Sequence, residues 1–249
     1  MGKMSHSMIS NDYLRWIFRA WRYRLRIEKP EITFLLNHLK LGQVVLDIGA
    51  HKGAYTYWMS NRVGESGRVI AFEPQPELNS YLSKIARHVP TKNIYVESVA
   101  LSSKEGDAIM DLPGHKPSPS ASLNKIHSQS DSGINVQTTT LDNYVFTKNI
   151  TTVDLIKCDV EGHELDVFQS GHDTLTGFKP VVMLECEARH NGAENVDDMF
   201  KYFQNLNYDG CFYDGKTFSS INNFDLYKYQ TGPDRNIYVN NFFFTPQSG

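Results

Sequence analysis

The sequence predicts an α/β fold: an open, mostly parallel sheet with helices on both faces, a late antiparallel strand and an N-terminal helical extension. Two observations carry this. From Gln43 onward, short apolar runs of strand length alternate with stretches of helical periodicity, the pattern of a parallel sheet buried on both sides. Near the end, Asn236–Phe244 is aromatic and β-branched (NIYVNNFFF), which suits a strand added after the alternation has stopped. The 249 residues, 40% of them hydrophobic and 21% charged, are enough for a sizeable core in a single large domain.

The elements follow in order. Residues 11–28 form an amphipathic helix, with Leu14, Ile17, Phe18, Trp21 and Leu25 in one apolar row and Arg15, Arg19, Arg22 and Arg26 in a cationic ridge beside it. The preferred reading packs this helix on its own domain or on a dimer partner, with the arginines in water. The alternative lays it on an anionic membrane surface. A second helix over Glu31–Leu39 follows Pro30, a good first helical residue. Residues 1–40 are thus a helical extension and 41–249 the main domain.

Val44–Leu46, Val69–Phe72, Ile94–Val96, Leu155–Ile156 and Val181–Leu184 read as buried parallel strands. Ala54–Arg62, Pro76–His88 and Glu164–Gln169 read as helices between them. Leu112–Gly133 is rich in Pro, Ser and Gly and breaks the rhythm. A loop of that length inside a compact domain suits a lid, so residues 113–133 are the candidate lid. Ile134–Thr140 returns to β-type residues.

Other classes are excluded or disfavoured. No apolar run is long enough to span a bilayer. The start lacks the apolar stretch of a signal peptide, and Cys158, Cys186 and Cys211 are too few and scattered for a disulfide framework. A cytoplasmic protein with reduced thiols is expected. A formal net charge of -3 argues against general nucleic-acid binding, and no Asn/Asp-Pro-Pro-Tyr signature for base methylation is present.

The sharpest local signal is Val44-Val45-Leu46-Asp47-Ile48-Gly49-Ala50-His51-Lys52-Gly53, a buried strand entering Asp-x-Gly-x-x-x-Gly and then a helix. Gly49 permits a sharp turn and a close ligand approach, and Gly53 permits tight packing of the next helix. About twenty residues on, Glu73 ends the next strand, where an acid can accept both ribose hydroxyls of a nucleoside cofactor. Lys52 occupies the place of the middle glycine of a dinucleotide fingerprint, and Asp47 would oppose a pyrophosphate. The same carboxylate attracts the cationic methionyl end of S-adenosyl-L-methionine, the favoured cofactor. A nicotinamide-dependent oxidoreductase is the weaker reading, and a catalytically inactive, cofactor-binding interaction protein is a third.

A second polar concentration, Leu155-Ile156-Lys157-Cys158-Asp159-Val160-Glu161-Gly162-His163-Glu164, follows a later strand. Ligands of open α/β sheets sit beyond the strand carboxyl ends, so Asp159, Glu161 and His163 can converge on a substrate there. They are the candidate catalytic residues, with the choice of base among them open; Glu161 could instead cap the next helix, and His163 could be an ordinary surface residue. Glu185 and Glu187 are placed to border the same crevice. Asp159, Glu161 and Glu185 could in principle hold Mg²⁺, but no compact ligand motif is present and no metal is assigned. Tyr208, Phe212, Tyr213 and Phe218 could stack on sugar rings, although an aromatic core is the preferred explanation.

Taken together, Leu46-Asp47-Ile48-Gly49-Ala50, Phe72-Glu73-Pro74, Val99-Ala100-Leu101-Ser102, Thr139-Thr140-Leu141-Asp142 and Ile156–Glu164 resemble the FkbM family of S-adenosylmethionine-dependent methyltransferases over roughly residues 40–190. Cys158 departs from the Ile or Val more usual there. The resemblance implies a class I methyltransferase fold and O-methylation of a sugar, glycan or secondary-metabolite hydroxyl. It also implies that Asp47, Gly49, Gly53 and Glu73 line the cofactor, with Ala50 and Tyr55 nearby and Ala100 and Leu101 flanking the adenine.

Overall fold

Five parallel strands and three antiparallel ones assemble as an eight-stranded sheet with the first strand in its interior. A computed structural model describes residues 11–123, 133–233 and 237–247. In chain order the helices and strands are α1 (Asn11–Arg22), α2 (Lys29–His38), β1 (Val44–Ile48), α3 (Ala54–Val63), β2 (Arg68–Phe72), α4 (Pro76–His88), β3 (Ile94–Glu97), β4 (Ala100–Leu101) and β5 (Gly106–Asp111). There follow β6 (Gly133–Thr139), α5 (Leu141–Thr147), β7 (Leu155–Cys158), α6 (Glu164–Gln169), α7 (His172–Phe178), β8 (Val181–Glu185), α8 (Ala188–Asn191), α9 (Ala193–Asn205), β9 (Tyr208–Tyr213), β10 (Phe218–Ser220) and β11 (Asn241–Pro246).

The large sheet runs β10-β9-β11-β8-β7-β1-β2-β3. β1 pairs in parallel with β2 on one side and β7 on the other, so the chain reverses its direction of travel across the sheet at β1. That reversal opens a crevice at the carboxyl ends of β1 and β7, the ordinary ligand position in such sheets.

The predicted late strand is β11, antiparallel to both β8 and β9. It starts at Asn241; Ile237–Asn240 lie outside any strand, and Asn236 falls outside the described residues. Phe242, Phe243 and Phe244 are all fully buried, because their side chains alternate between two cores, one on each face of the sheet. Burying each contributes roughly 1.5–3 kcal/mol. Tyr208 and Phe212 belong to the same aromatic core, as preferred for them.

Two features were not foreseen. β9 and β10 extend the antiparallel end, and β4, β6 and β5 form a separate three-stranded sheet that raises the long loop beside the crevice.

The first helix also needs correction. It runs to Arg22 and closes with one π-helical turn over Tyr23–Ile27. It packs on its own domain, but through Trp16 and Ala20, which are 1% and 0% exposed. Of the expected apolar row, Ile17 packs half-buried against the core, while Leu14, Phe18, Trp21 and Leu25 face outward. Trp16 wins because its indole has a partner inside: the ring N–H donates to the Gly53 carbonyl at 2.7 Å, so the side chain is buried with its polar atom satisfied. Trp16, Ala20, Ile32 and Leu35 share one core with Val45, Trp58 and Met59, which fastens the extension to the sheet face carrying Asp47 and Lys157.

Candidate active site

At the end of β1 the backbone turns through Gly49, in the left-handed region at φ +75°. A Cβ on Gly49 would lie 1.8 Å from the carbonyl oxygen of Asp159. The glycine is required by the contact between the two loops that wall the crevice. Gly53, at φ +72°, stands behind that wall and does not line the cleft; its Cβ would meet Leu82 and Trp16 at 2.6 and 2.8 Å. Its sequence-level role in helix packing is therefore the one the structure displays. Asp47, Gly49, Ala50, Tyr55, Glu73, Ala100 and Leu101 all line one cleft, and Asp159, Glu161 and His163 line it as well.

Asp47 is fully buried. Its Oδ2 accepts the Thr56 hydroxyl at 2.5 Å, while Oδ1 is buried without a hydrogen-bond partner. Burial raises its pKa against the opposing pull of the Lys157 charge. A buried carboxylate oxygen left open at a cleft is a place for a ligand donor. Glu73 accepts the backbone N–H groups of His51 and Gln75 at 2.8 and 2.9 Å. Burial pushes its pKa up to about 7.

Lys157 was missed as a site residue. It pairs across the sheet with Asp47 in register, is 5% exposed, and donates to Asp159 Oδ2 at 3.0 Å. Burial pulls its pKa down, but Asp159 and Asp47 outweigh that and hold the ammonium charged above its usual range. The signal was in the sequence: a lysine amid Leu155, Ile156 and Cys158 on a buried strand must find a carboxylate. Glu28, between the two helices of the N-terminal extension, faces the same group and accepts the Tyr55 hydroxyl. One ammonium among Asp47, Asp159 and Glu28 leaves a negative balance, suited to a cationic ligand.

The acceptor turn is held by Glu164, whose Oε1 accepts the N–H groups of Val160 and Gly162 at 3.1 Å each. Glu164 thus braces the turn ahead of α6, and neither it nor Glu161 caps that helix, whose N-cap His163 makes no side-chain cap bond. Glu161 itself sits in the left-handed region at φ +53°, uncommon for a residue with a side chain. Its Oε2 lies 3.1 Å from His190 Nε2, and burial followed by repulsion from Asp159 and Glu164 pushes its pKa up to about 8. Glu185 lines the same cleft, with its pKa pushed up to about 10 by burial and Asp159. Glu187 does not line it; it pairs with Arg189 and accepts the Tyr238 hydroxyl at 2.5 Å.

His163 occupies the N-cap of α6. Its Nδ1 lies 3.1 Å from Asp166 Oδ2 and its Nε2 2.9 Å from Ser102 Oγ. Burial lowers its pKa, opposed by Asp166, so the imidazole is neutral near pH 7. With Nδ1–H donated to Asp166, Nε2 accepts the Ser102 hydroxyl. Both nitrogens are thereby engaged.

The described part of the candidate lid bridges the cleft. Gln75 donates to the Ser118 carbonyl at 3.0 Å and accepts the Ser118 N–H at 2.9 Å. Ser122 Oγ donates to the Glu161 carbonyl at 2.6 Å. Residues 124–132 of the lid lie outside the described residues. Among the described residues no group of three His, Cys, Asp or Glu is placed to hold a metal ion.

A family model, the methyltransferase FkbM domain, matches residues 47–209, more than half of the chain. The chain belongs to this family. A curated relative of the FkbM-domain chain is the hexuronic acid methyltransferase AglP of Haloferax volcanii, 30% identical over 165 residues, or 66% of this chain. The match spans 64% of that relative's length. Among solved structures, a methyltransferase FkbM from Methylobacillus flagellatus KT superposes with a TM-score of 0.53 at 13% identity, covering 95% of this chain and 56% of that one. The O-methyltransferase from Bacillus cereus in complex with SAH superposes with a TM-score of 0.54 at 10% identity, covering 98% of this chain and 94% of that one. The FkbM-domain chain thus has the methyltransferase-like α/β fold expected from its sequence.

Proposed function

We propose that this chain transfers a methyl group from S-adenosylmethionine to a hydroxyl of a sugar or glycan. The observation that carries the reading is the buried, unpartnered Oδ1 of Asp47 in a cleft that also presents Glu73 and the Gly49 turn. Asp47 would take the cofactor's ammonium end, Glu73 its ribose hydroxyls, and Ala100 and Leu101 its adenine. When bound, that cofactor supplies an electrophilic methyl on a sulfonium, which departs as a neutral thioether.

The chain's own work is alignment and removal of the acceptor proton. Among the three candidate residues, both nitrogens of His163 are taken, while Asp159 meets Lys157 and Glu161 meets His190 through one oxygen each, so the choice rests on the raised pKa of Glu161. Glu161 is the base: its carboxylate accepts the hydroxyl proton as the acceptor oxygen bonds to the methyl. Asp159 and His163 fix the walls around it. A carboxyl group titrating near 8 is a stronger base than an ordinary glutamate once ionised.

The name of the Haloferax relative makes a sugar acid the first acceptor to try. Arg19 and Lys52 line the cleft and would favour a carboxylate there. The test is parallel calorimetric titration with S-adenosylmethionine, S-adenosylhomocysteine and NADH, using wild type and the Asp47→Ala/Glu73→Ala double variant. Binding of the methyl-donor pair alone, lost in the variant, is expected. Binding of NADH instead overturns the reading in favour of an oxidoreductase, and binding of none leaves an inactive scaffold.

A further inference from the structure

Most of the outward row on α1 and its closing turn has no partner in the core among the described residues. Leu14, Phe18 and Leu25 are 51%, 73% and 62% exposed, and their spacing with Trp21 keeps all four on one side of the helix. The row cannot rotate inward, because Trp16 is fixed to Gly53 on the opposite side and Trp21 meets Trp58 edge-on at 5.0 Å. Beside it, the segment from Tyr13 to Ile27 holds five arginines and no acidic residue, in a chain whose formal net charge is -3. Arg15, Arg22 and Arg26 are exposed.

We infer that α1 seats this protein on an anionic lipid bilayer, its apolar row in the interfacial layer and its arginines on the headgroups. An apolar row flanked by an excess of cations, with Asp12 the acid of α1 and 4.0 Å from Arg15, is the pattern that partitions into a charged membrane surface. A two-fold contact between two copies of this face would set the same arginines against each other and leave their charge unopposed. No helix among the described residues is long and apolar enough to cross a membrane, so the contact is parallel to the surface. Arg19 and Tyr23 line both the shallow groove of α1 and the main cleft, so the cleft adjoins the lipid contact.

The test is flotation of the full chain with phosphatidylcholine vesicles and with vesicles that also contain phosphatidylserine, at low and high salt. The anionic vesicles are expected to bind about a hundredfold more tightly than the neutral ones and to release the protein as salt rises. Phe18→Asp with Leu25→Asp, and separately Arg15→Glu with Arg22→Glu, should each abolish binding while leaving the thermal midpoint near wild type. Absence of binding to anionic vesicles at low salt overturns the proposal, as does undiminished binding by both variant pairs. Self-association in velocity sedimentation that Phe18→Asp/Leu25→Asp removes, without vesicle binding, assigns the face to a second copy instead. None of these readouts depends on methyl transfer.

Discussion

The indole N–H of Trp16 donates a 2.7 Å hydrogen bond to the backbone carbonyl of Gly53, and the two residues lie 37 positions apart. The bond joins the first helix to the glycine turn that walls the cleft, so the N-terminal extension and the turn form one packed unit. Trp16→Phe keeps an aromatic ring and removes the donor, leaving the Gly53 carbonyl with the Tyr57 N–H at 3.1 Å as its partner. Denaturant unfolding should show a loss of about 0.5–1.5 kcal/mol. Titration should show S-adenosylhomocysteine affinity down about tenfold; an unchanged affinity would mean that the turn holds its shape without the helix.

Gly49→Ala sets a methyl against the Asp159 carbonyl, at 1.8 Å before relaxation, and imposes the left-handed penalty of about 1–2 kcal/mol. The two loops must part. S-adenosylhomocysteine affinity is expected to fall about a hundredfold while circular dichroism still reports a folded α/β protein. Retention of wild-type affinity would show that this close approach is not needed for binding.

Lys157→Met removes the ammonium that faces Asp47 and Asp159. Asp47 is then buried without that compensation while Asp159 stays 31% exposed, and the loss is expected toward the lower end of the about 3–5 kcal/mol of a broken buried pair. Urea unfolding should register that loss, with Lys157→Arg nearer to wild type. A methionine variant as stable as wild type would show that water reaches the cluster and screens it.

With Glu161 as the proposed base, catalysis and stability should depend on pH with opposite signs. Its pKa rises on folding from 4.5 to about 8, so the folded state holds a proton that the unfolded state has released. Its contribution to stability is full below about pH 4.5 and is lost as pH climbs through about 8. Methyl transfer should increase over the same climb as the base ionises, levelling off above it. Glu161→Gln should make the fall in stability between those limits shallower, Glu73 and Glu185 still contributing to it, and lower turnover by about 10²–10⁴. If the rising limb survives in Glu161→Gln and disappears in His163→Asn, the histidine is the base.

Much of this molecule is written in local patterns. The strands β1, β2, β3, β7 and β8 are continuous apolar runs because both sheet faces are covered, and a run of that kind is visible without knowing its neighbours. The turn from Asp47 to Gly53 is equally local, since its glycines answer to backbone angles. β5 and β10 escaped notice for the opposite reason: Gly106–Asp111 carries two exposed charged or small residues at its start, and Phe218–Ser220 is three residues long. Such strands exist only because a partner strand supplies the hydrogen bonds.

The site divides in the same way. Asp47, Glu73, Asp159, Glu161 and His163 were legible by their place at strand ends, and all five line the cleft. Periodicity gave α1 its amphipathic character, but which face it buries was decided by a carbonyl 37 residues away. Lys157, Glu28 and Tyr55 meet only when the sheet and the extension are assembled, and the division of labour at the acceptor turn depends on Glu164 taking the backbone amides. By itself the sequence determined the elements, the glycine turn and the family, because these rest on backbone angles and on hydrophobic period. Tertiary structure alone decided the partners of the buried charges, because a charge taken from water is satisfied by whatever group the folded chain sets within about 3 Å of it.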